Sequence, residues 1–187
     1  MSPLILLALV VVVESGCLGG LSDTEISGIL NVHNTLRHNI SDGNFIASGT
    51  RMPAASTPIP DLTWDCALEE SAQKWADACN FEHSPRDDIG ENLYSVSDSN
   101  GISLTGTGAD ASEEWAQEFQ KYGWKDVKFT VEVSKSGVGH ATQMADAHST
   151  KIGCGIKNCQ NGQEAFVVCQ YTAPGNMLNS YTYPPKL

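Results

Sequence analysis

The sequence predicts an α+β domain in which helices cover a small sheet. Helical periodicity dominates the first part of the chain, whereas the clearest strand-like runs lie near the C-terminus. Six cysteines can staple the long loops that join these elements. Several helices followed by short strands are typical of this fold class. Because no internal repeat or linker divides the chain, we expect one domain over residues 16–187.

The N-terminus predicts a secretory signal peptide. Leu4 to Val13 is an almost unbroken apolar run, too short to cross a bilayer core of about 30 Å as a helix. Its position and length are typical of a signal-peptide core, and a cut after Ser15 leaves Cys17 in the mature chain. We therefore expect residues 1–15 to be removed and the protein to be secreted. No second apolar run predicts a transmembrane segment.

The first helix is predicted from a capping box. In Ser22-Asp23-Thr24-Glu25, the Ser22 hydroxyl and the Glu25 carboxylate can satisfy free N–H groups at a helix start. Apolar residues then recur on one face together with His33, which predicts a helix to about Asn39. On that apolar face His33 is expected to be a hydrogen-bonded interior side chain.

Three further helices follow from the same periodicity. One begins at Asp65, with an apolar stripe that reaches Cys79. The next runs from Asp110 and stops at Gly123, and a short one covers 139–147. Strands are predicted over 129–133, 151–157 and 164–171. The polar stretches 40–60 and 95–108 are predicted to be long surface loops.

The charge excludes some classes of partner. The chain has 22 acidic and 11 basic residues, a formal charge of −11. Nucleic acids and anionic lipid surfaces both require clustered Lys and Arg, so neither is an expected partner. Six cysteines in an exported chain predict disulfides, although their spacing alone does not choose the pairs. Asn39-Ile40-Ser41, the only Asn-x-Ser/Thr triplet, predicts one glycan at Asn39.

Four polar residues stand in short, distinctive contexts. They are His83 in Phe-Glu-His-Ser, Glu91 in Gly-Glu-Asn-Leu, Glu118 in Trp-Ala-Gln-Glu-Phe and His140 in Gly-His-Ala-Thr-Gln. We expect them to come together, from distant parts of the chain, as one polar cluster.

These motifs resemble a known family. They are Val32-His33-Asn34-Thr35-Leu36-Arg37, Cys79 to Ser84, Gly90-Glu91-Asn92-Leu93, Gly139-His140-Ala141-Thr142-Gln143, and Cys169 to Asn176. In this order they resemble the CAP superfamily, also called SCP or TAPS, from about Ile26 to Asn176. The chain looks most like the venom-allergen-like proteins secreted by parasitic nematodes. Two departures are Asp146, where most relatives carry Trp, and Gln170, where Asn is usual.

The resemblance implies a three-layer, disulfide-stapled α-β-α sandwich. It suggests three disulfides, joining Cys79 with Cys159, Cys154 with Cys169, and Cys17 with Cys66. It also implies that His83, Glu91, Glu118 and His140 converge in one solvent-filled cleft.

The cleft tetrad admits three interpretations. His83 and His140 can hold a divalent zinc reversibly, with water or carboxylates completing an open site and the glutamates orienting the rings. Alternatively, the four residues form a hydrogen-bonded network that only stabilises the core. A metal-dependent hydrolase is the third, but the chain lacks His-Glu-x-x-His and Gly-x-Ser-x-Gly. We predict no catalytic residue and no cofactor other than zinc.

The functional prediction is therefore a secreted, non-enzymatic binding protein. The likeness to nematode proteins implies a host-directed modulator of immunity, blood-cell adhesion or haemostasis. The expected partner is an extracellular receptor, with integrins on leukocytes or platelets as one target class. Loops 40–60 and 95–108 are the expected partner surface. The main alternative is a carrier that binds sterols or other lipids in a groove beside its helices.

Overall fold

The computed structural model describes Cys17 and residues 20–186. The predicted signal peptide, residues 1–15, lies outside the described residues. Within them the helices are α1 (Asp23–Ser41), α2 (Cys66–Ala76), α3 (Thr107–Tyr122), α4 (Val131–Ser134) and α5 (Gly139–Ala145). The strands are β1 (Ile46–Ala47), β2 (Thr50–Arg51), β3 (Thr63–Trp64), β4 (Gly90–Ser97), β5 (Lys151–Cys159) and β6 (Glu164–Thr172). None of these helices has the length and apolar character needed to span a membrane.

The main sheet is buried on both faces. Its strand order is β3-β5-β6-β4, with β5 antiparallel to β6 and β6 antiparallel to β4. Successive side chains of β6 alternate between two cores, because strand residues point to opposite faces. Phe166 and Val168 pack with Ala72 of α2, whereas Val167 belongs to the larger core that contains Trp115 of α3. The predicted α+β class and its three-layer α-β-α sandwich are confirmed.

Two glycines allow α2 to lie directly on the sheet. A Cβ on Gly153 would collide with the backbone of Glu69, and a Cβ on Gly155 with that of Gln73. The Gln73 side chain then donates to the Ile156 carbonyl and accepts from the Ile156 N–H. Backbone contact between helix and strand therefore requires glycine at both positions.

Three disulfides cross-link the layers. They join Cys17 with Cys66, Cys79 with Cys159, and Cys154 with Cys169. These are the pairs that the family resemblance suggests. Cys154 and Cys169 face each other across the β5–β6 pair, with Cα atoms 4.1 Å apart.

The capping box of α1 forms only in part. The Ser22 hydroxyl accepts from the Glu25 N–H at 3.2 Å, as predicted. The Glu25 carboxylate, however, accepts from the N–H groups of Gly106 and Gly108, at 2.9 and 2.7 Å. It thus serves the first turn of α3, whose own N-cap residue Gly106 has no side chain to do so. This explains why α3 begins at Thr107 rather than at Asp110.

The predicted strand over 129–133 is wrong. Val131–Ser134 form a helical turn, in which the Thr130 hydroxyl accepts from the Val133 N–H. Val131 is exposed although Phe129 and Val133 on either side of it are buried, whereas a strand would place all three on the same face. Strand β4 was not predicted, because this edge strand carries the polar residues Glu91 and Asn92 in its first half.

The two predicted loops contain more regular structure and more buried residues than expected. In 40–60, helix α1 continues to Ser41, β1 and β2 form a hairpin, and Ala47, Met52 and Ile59 are buried. In 95–108, the first three residues complete β4 and the last two begin α3. Continuous exposure is confined to residues 48–51, 56–58 and 96–101.

Arg37 is a fully buried cation in the middle of the fold. Its guanidinium donates to the carbonyl oxygens of Met144, Asp146, Ser149 and Pro60. Burial lowers its pKa to about 10, which leaves it charged at neutral pH. Arg37 therefore ties α1 to the end of α5 and to the segment before β3.

We predict that Arg37→Ala lowers the free energy of unfolding by about 3 kcal/mol or more, because buried carbonyl groups lose their donors. Denaturant unfolding of the disulfide-intact protein measures the change. The control is Arg51→Ala, which removes an exposed guanidinium and should cost within about 0.5 kcal/mol. Equal effects of the two substitutions would contradict a structural role for Arg37.

Candidate functional site

The structure brings all four predicted site residues into one cleft. His83, Glu91, Glu118 and His140 line an open cavity of about 250 Å³. His83 lies in the segment after α2, Glu91 on β4, Glu118 on α3 and His140 at the start of α5. The remaining lining residues are Asn92, Gly137, Gly139 and Asn176.

The first pair is His83 with Glu91. The Nδ1 of His83 lies 3.0 Å from Oε1 of Glu91, and the same oxygen accepts from the Ser84 N–H at 2.8 Å. The other oxygen accepts from Nε2 of Gln170 at 2.9 Å. The Glu91 side chain is nearly buried, whereas that of His83 is 65% exposed. A fixed carboxylate thus orients an accessible imidazole.

The second pair is Glu118 with His140. One carboxylate oxygen of Glu118 lies 2.6 Å from Nδ1 of His140. The other accepts from the N–H groups of His140 and Ala141, at 3.0 Å each. The His140 ring also stacks on Trp115, with centroids 5.9 Å apart. Glu118 therefore fixes both the ring and the backbone at the start of α5.

The contacts of the first pair shift both of its pKa values. The hydrogen bond with Glu91 raises the pKa of His83, against the opposing effect of burial. Burial alone would raise the pKa of Glu91, but hydrogen bonds from His83, the Ser84 N–H and Gln170 together lower it. Below the pKa of His83 the pair is an ion pair, and it loses that attraction as the pH rises through this value.

Sequence reasoning missed the residues that support the tetrad. Nδ2 of Asn92 donates to the His140 carbonyl and to the Tyr171 hydroxyl, which also contacts Nε2 of His33. His33 is fully buried and hydrogen-bonded, as predicted, and burial lowers its pKa to about 3. Asn92 directly follows Glu91 in the Gly-Glu-Asn-Leu motif, and this position in the sequence could have indicated that it supports the site.

Asp146, one of the two departures from the family pattern noted in the sequence, holds a residue that lines the cleft. Its carboxylate accepts from the backbone N–H and Nδ1 of His148, both at 2.9 Å. Its second oxygen accepts from the Asn176 N–H at 3.3 Å. Asn176 in turn donates to the Gly139 carbonyl. Asp146 thus positions a residue that lines the cleft.

The residues present fit a cation held by two histidines. Because Nδ1 of each ring contacts a carboxylate, Nε2 remains as the ligand atom, which is the usual arrangement at protein zinc sites. No group of three or more His, Cys, Asp or Glu within residues 20–186 is arranged to hold a metal. Any cation here would therefore take its other ligands from water.

Ser84, which directly follows the cleft residue His83, is not placed to act as a serine nucleophile. The Ser84 Oγ is buried and makes no hydrogen bond within the described residues. A serine nucleophile requires a base within hydrogen-bond reach, and neither cleft histidine provides one.

A three-layer sandwich with three disulfides and two His–Glu pairs in one cleft defines a cysteine-rich secretory type of domain. Residues 30–171 match the CAP family, described as the cysteine-rich secretory protein family, and the chain belongs to this family.

Relatives and solved structures agree with this assignment. Venom allergen 3 of Solenopsis invicta is 32% identical over 179 residues, which cover 89% of this chain and 75% of the relative. The structure of BmVAL-1 has a TM-score of 0.87 and 35% identity, covering 91% of this chain and 87% of that one. The crystal structure of NaASP2 with Zn²⁺ has a TM-score of 0.84 and 32% identity, covering 91% of each chain. Both are nematode venom-allergen-like proteins.

We predict that Glu91→Gln lowers the pKa of His83, because the neutral amide cannot stabilise the imidazolium as a carboxylate does. The measurement is an NMR titration of the His83 ring protons. Glu70→Gln removes the same charge from the exposed side of α2 and serves as the control. An unchanged pKa in Glu91→Gln would show that the hydrogen bond does not set the His83 titration.

Proposed function

We propose that this protein is a secreted, non-enzymatic binding protein whose cleft takes up a divalent cation reversibly, with zinc as the first candidate. The observation that carries the proposal is the pairing of each cleft imidazole, through Nδ1, with a carboxylate that also accepts backbone N–H groups. Both rings are thereby oriented before a cation arrives.

The donor chemistry favours weak and reversible uptake. Structural zinc sites use four protein ligands, and catalytic ones typically use three. A site here would have only two protein ligands, His83 and His140, with water in the other positions. It would therefore hold zinc more weakly than a site with three or four protein ligands. The solved structure of NaASP2 with Zn²⁺ supports a cation in a relative of this fold. With zinc bound, the site would polarise the water molecules on the cation. His83 and His140 would bind the cation, and Glu91 and Glu118 would orient the two rings.

Calorimetric zinc titration tests the cation proposal. We expect the double variant His83→Ala/His140→Ala to lose zinc binding, because both ligand atoms are removed. The matched control is His38→Ala/His148→Ala, which removes two histidines that also contact carboxylates but do not line the cleft. Equal loss in both variants would place zinc on surface histidines. Unchanged binding in the first variant would refute the cleft as the site.

The protein partner is proposed to be an extracellular receptor of a host. The prediction of a role in immunity, adhesion or haemostasis, with an integrin as one target, follows from the family. The exposed stretches 56–58 and 96–101 support it as a contact surface. Replacing the whole of 40–60 would also remove buried Ala47, Met52 and Ile59, so a test must alter surface side chains only.

We therefore predict that Thr57→Arg and Ser99→Arg weaken capture of integrins from detergent extracts of platelet and leukocyte membranes. Each places a bulky cation on an exposed loop without disturbing the core. Glu70→Arg, on the exposed side of α2, is the control and should bind as the unmodified protein does. Capture that survives both loop substitutions, or unmodified protein that captures no integrin, would reject this surface and this target.

A further inference from the structure

A second groove lies between α1 and α3, and none of its lining residues belongs to the cleft. Its volume is about 260 Å³. Its lining combines the apolar side chains of Val32 and Leu36 on α1 and Ala116 on α3 with the polar side chains of Asn31, Thr35 and Glu113. Asn39, in the last turn of α1, also lines the groove.

Asn39 is also the acceptor residue of the triplet Asn39-Ile40-Ser41. Its side chain is exposed, and no side-chain hydrogen bond within the described residues holds its carboxamide. The rest of the triplet is fixed: Ile40 is fully buried, and the Ser41 hydroxyl accepts from the Ile59 N–H at 2.9 Å. The Asn39 side-chain amide is thus exposed, whereas the two residues that follow it are held in place.

Helix geometry directs this amide along the groove. In an α-helix every Cα–Cβ bond tilts toward the N-terminus, so a side chain covers the residues three and four positions before it. For Asn39 these are Leu36 and Thr35, and Val32 lies one turn further. A group attached to Asn39 therefore starts over the groove and is aimed along it.

The groove also suits the first sugars of such a group. A sugar ring combines apolar faces with hydroxyl groups, and the groove combines the apolar side chains of Val32, Leu36 and Ala116 with the Thr35 hydroxyl and the Asn31 carboxamide. A covalently attached group has a high effective concentration beside its base, so even weak contacts keep it there.

We propose that Asn39 carries an N-linked glycan whose first sugars lie in the α1–α3 groove and shield it. The proposal rests on the proposed secretion, because this modification occurs on exported chains. A glycan in this groove would exclude a free lipid from it.

Thiol labelling of the protein secreted by a glycosylating eukaryotic cell tests the proposal. Glu113→Cys places a reporter in the groove, and Glu114→Cys places one beside it on an exposed position that lines a different pocket. Each reporter is combined with Asn39→Gln, which abolishes the acceptor, or with Ser41→Thr, which retains it. Intact mass counts the glycan and confirms a single label.

We expect one glycan in the Ser41→Thr background and none in Asn39→Gln. A bulky maleimide should label Glu113→Cys several-fold more slowly when the glycan is present, and Glu114→Cys at the same rate in both backgrounds. Secreted protein without a glycan overturns this inference but leaves secretion intact, whereas protein retained in the cell overturns both. Equal fast rates at Glu113→Cys show a glycan that leaves the groove open. Equal slow rates show another occupant, such as a co-purified lipid. Either result refutes the shielding.

Discussion

The position of α5 depends on opposite charges bound at its two ends. At its start, the Glu118 carboxylate accepts from the N–H groups of His140 and Ala141. At its end, the Arg37 guanidinium donates to the carbonyl oxygens of Met144 and Asp146. Both contacts satisfy backbone groups that a helix leaves unpaired, and both have the sign that the helix dipole favours. The helix that carries His140 is thus fixed by side chains from α1 and α3.

The same helix α1 also fixes α3. Glu25 satisfies the N–H groups of Gly106 and Gly108 at the start of α3, and α3 supplies Glu118. Two carboxylates therefore act in sequence, since Glu25 positions α3 and Glu118 on α3 positions α5. A third, Glu91, independently orients His83. In each case a buried or partly buried carboxylate accepts from at least one backbone N–H, which offsets its desolvation. The geometry of the cleft therefore depends on the same polar contacts that hold the helices in place.

The sequence predicted the parts of this architecture that rest on local patterns. Helix α2 begins where Asp65 offers its side chain, and α1 begins after Ser22, because caps act on residues close in sequence. The strands β5 and β6 were found because both their faces are buried and apolar. Strand β4 was missed because polar residues such as Glu91 and Asn92 interrupt its apolar pattern. The second role of Glu25 was missed because its partners lie more than eighty residues away.

The four cleft residues were predicted from motifs, whereas their supports were not. Nothing local in the sequence indicates that Gln170 donates to Glu91, or that Asp146 holds Asn176 through its backbone N–H. The first contact forms only when β6 pairs with β4. The second forms only when the residue after α5 meets the segment after β6. Because Glu91 and Glu118 each satisfy backbone donors as well as a histidine, removing either side chain would disturb fold and site together. In the proposed cation site both imidazoles are already held through Nδ1, so binding would require no rearrangement of the rings. Such preorganisation would favour binding, whereas having only two protein ligands would keep it reversible.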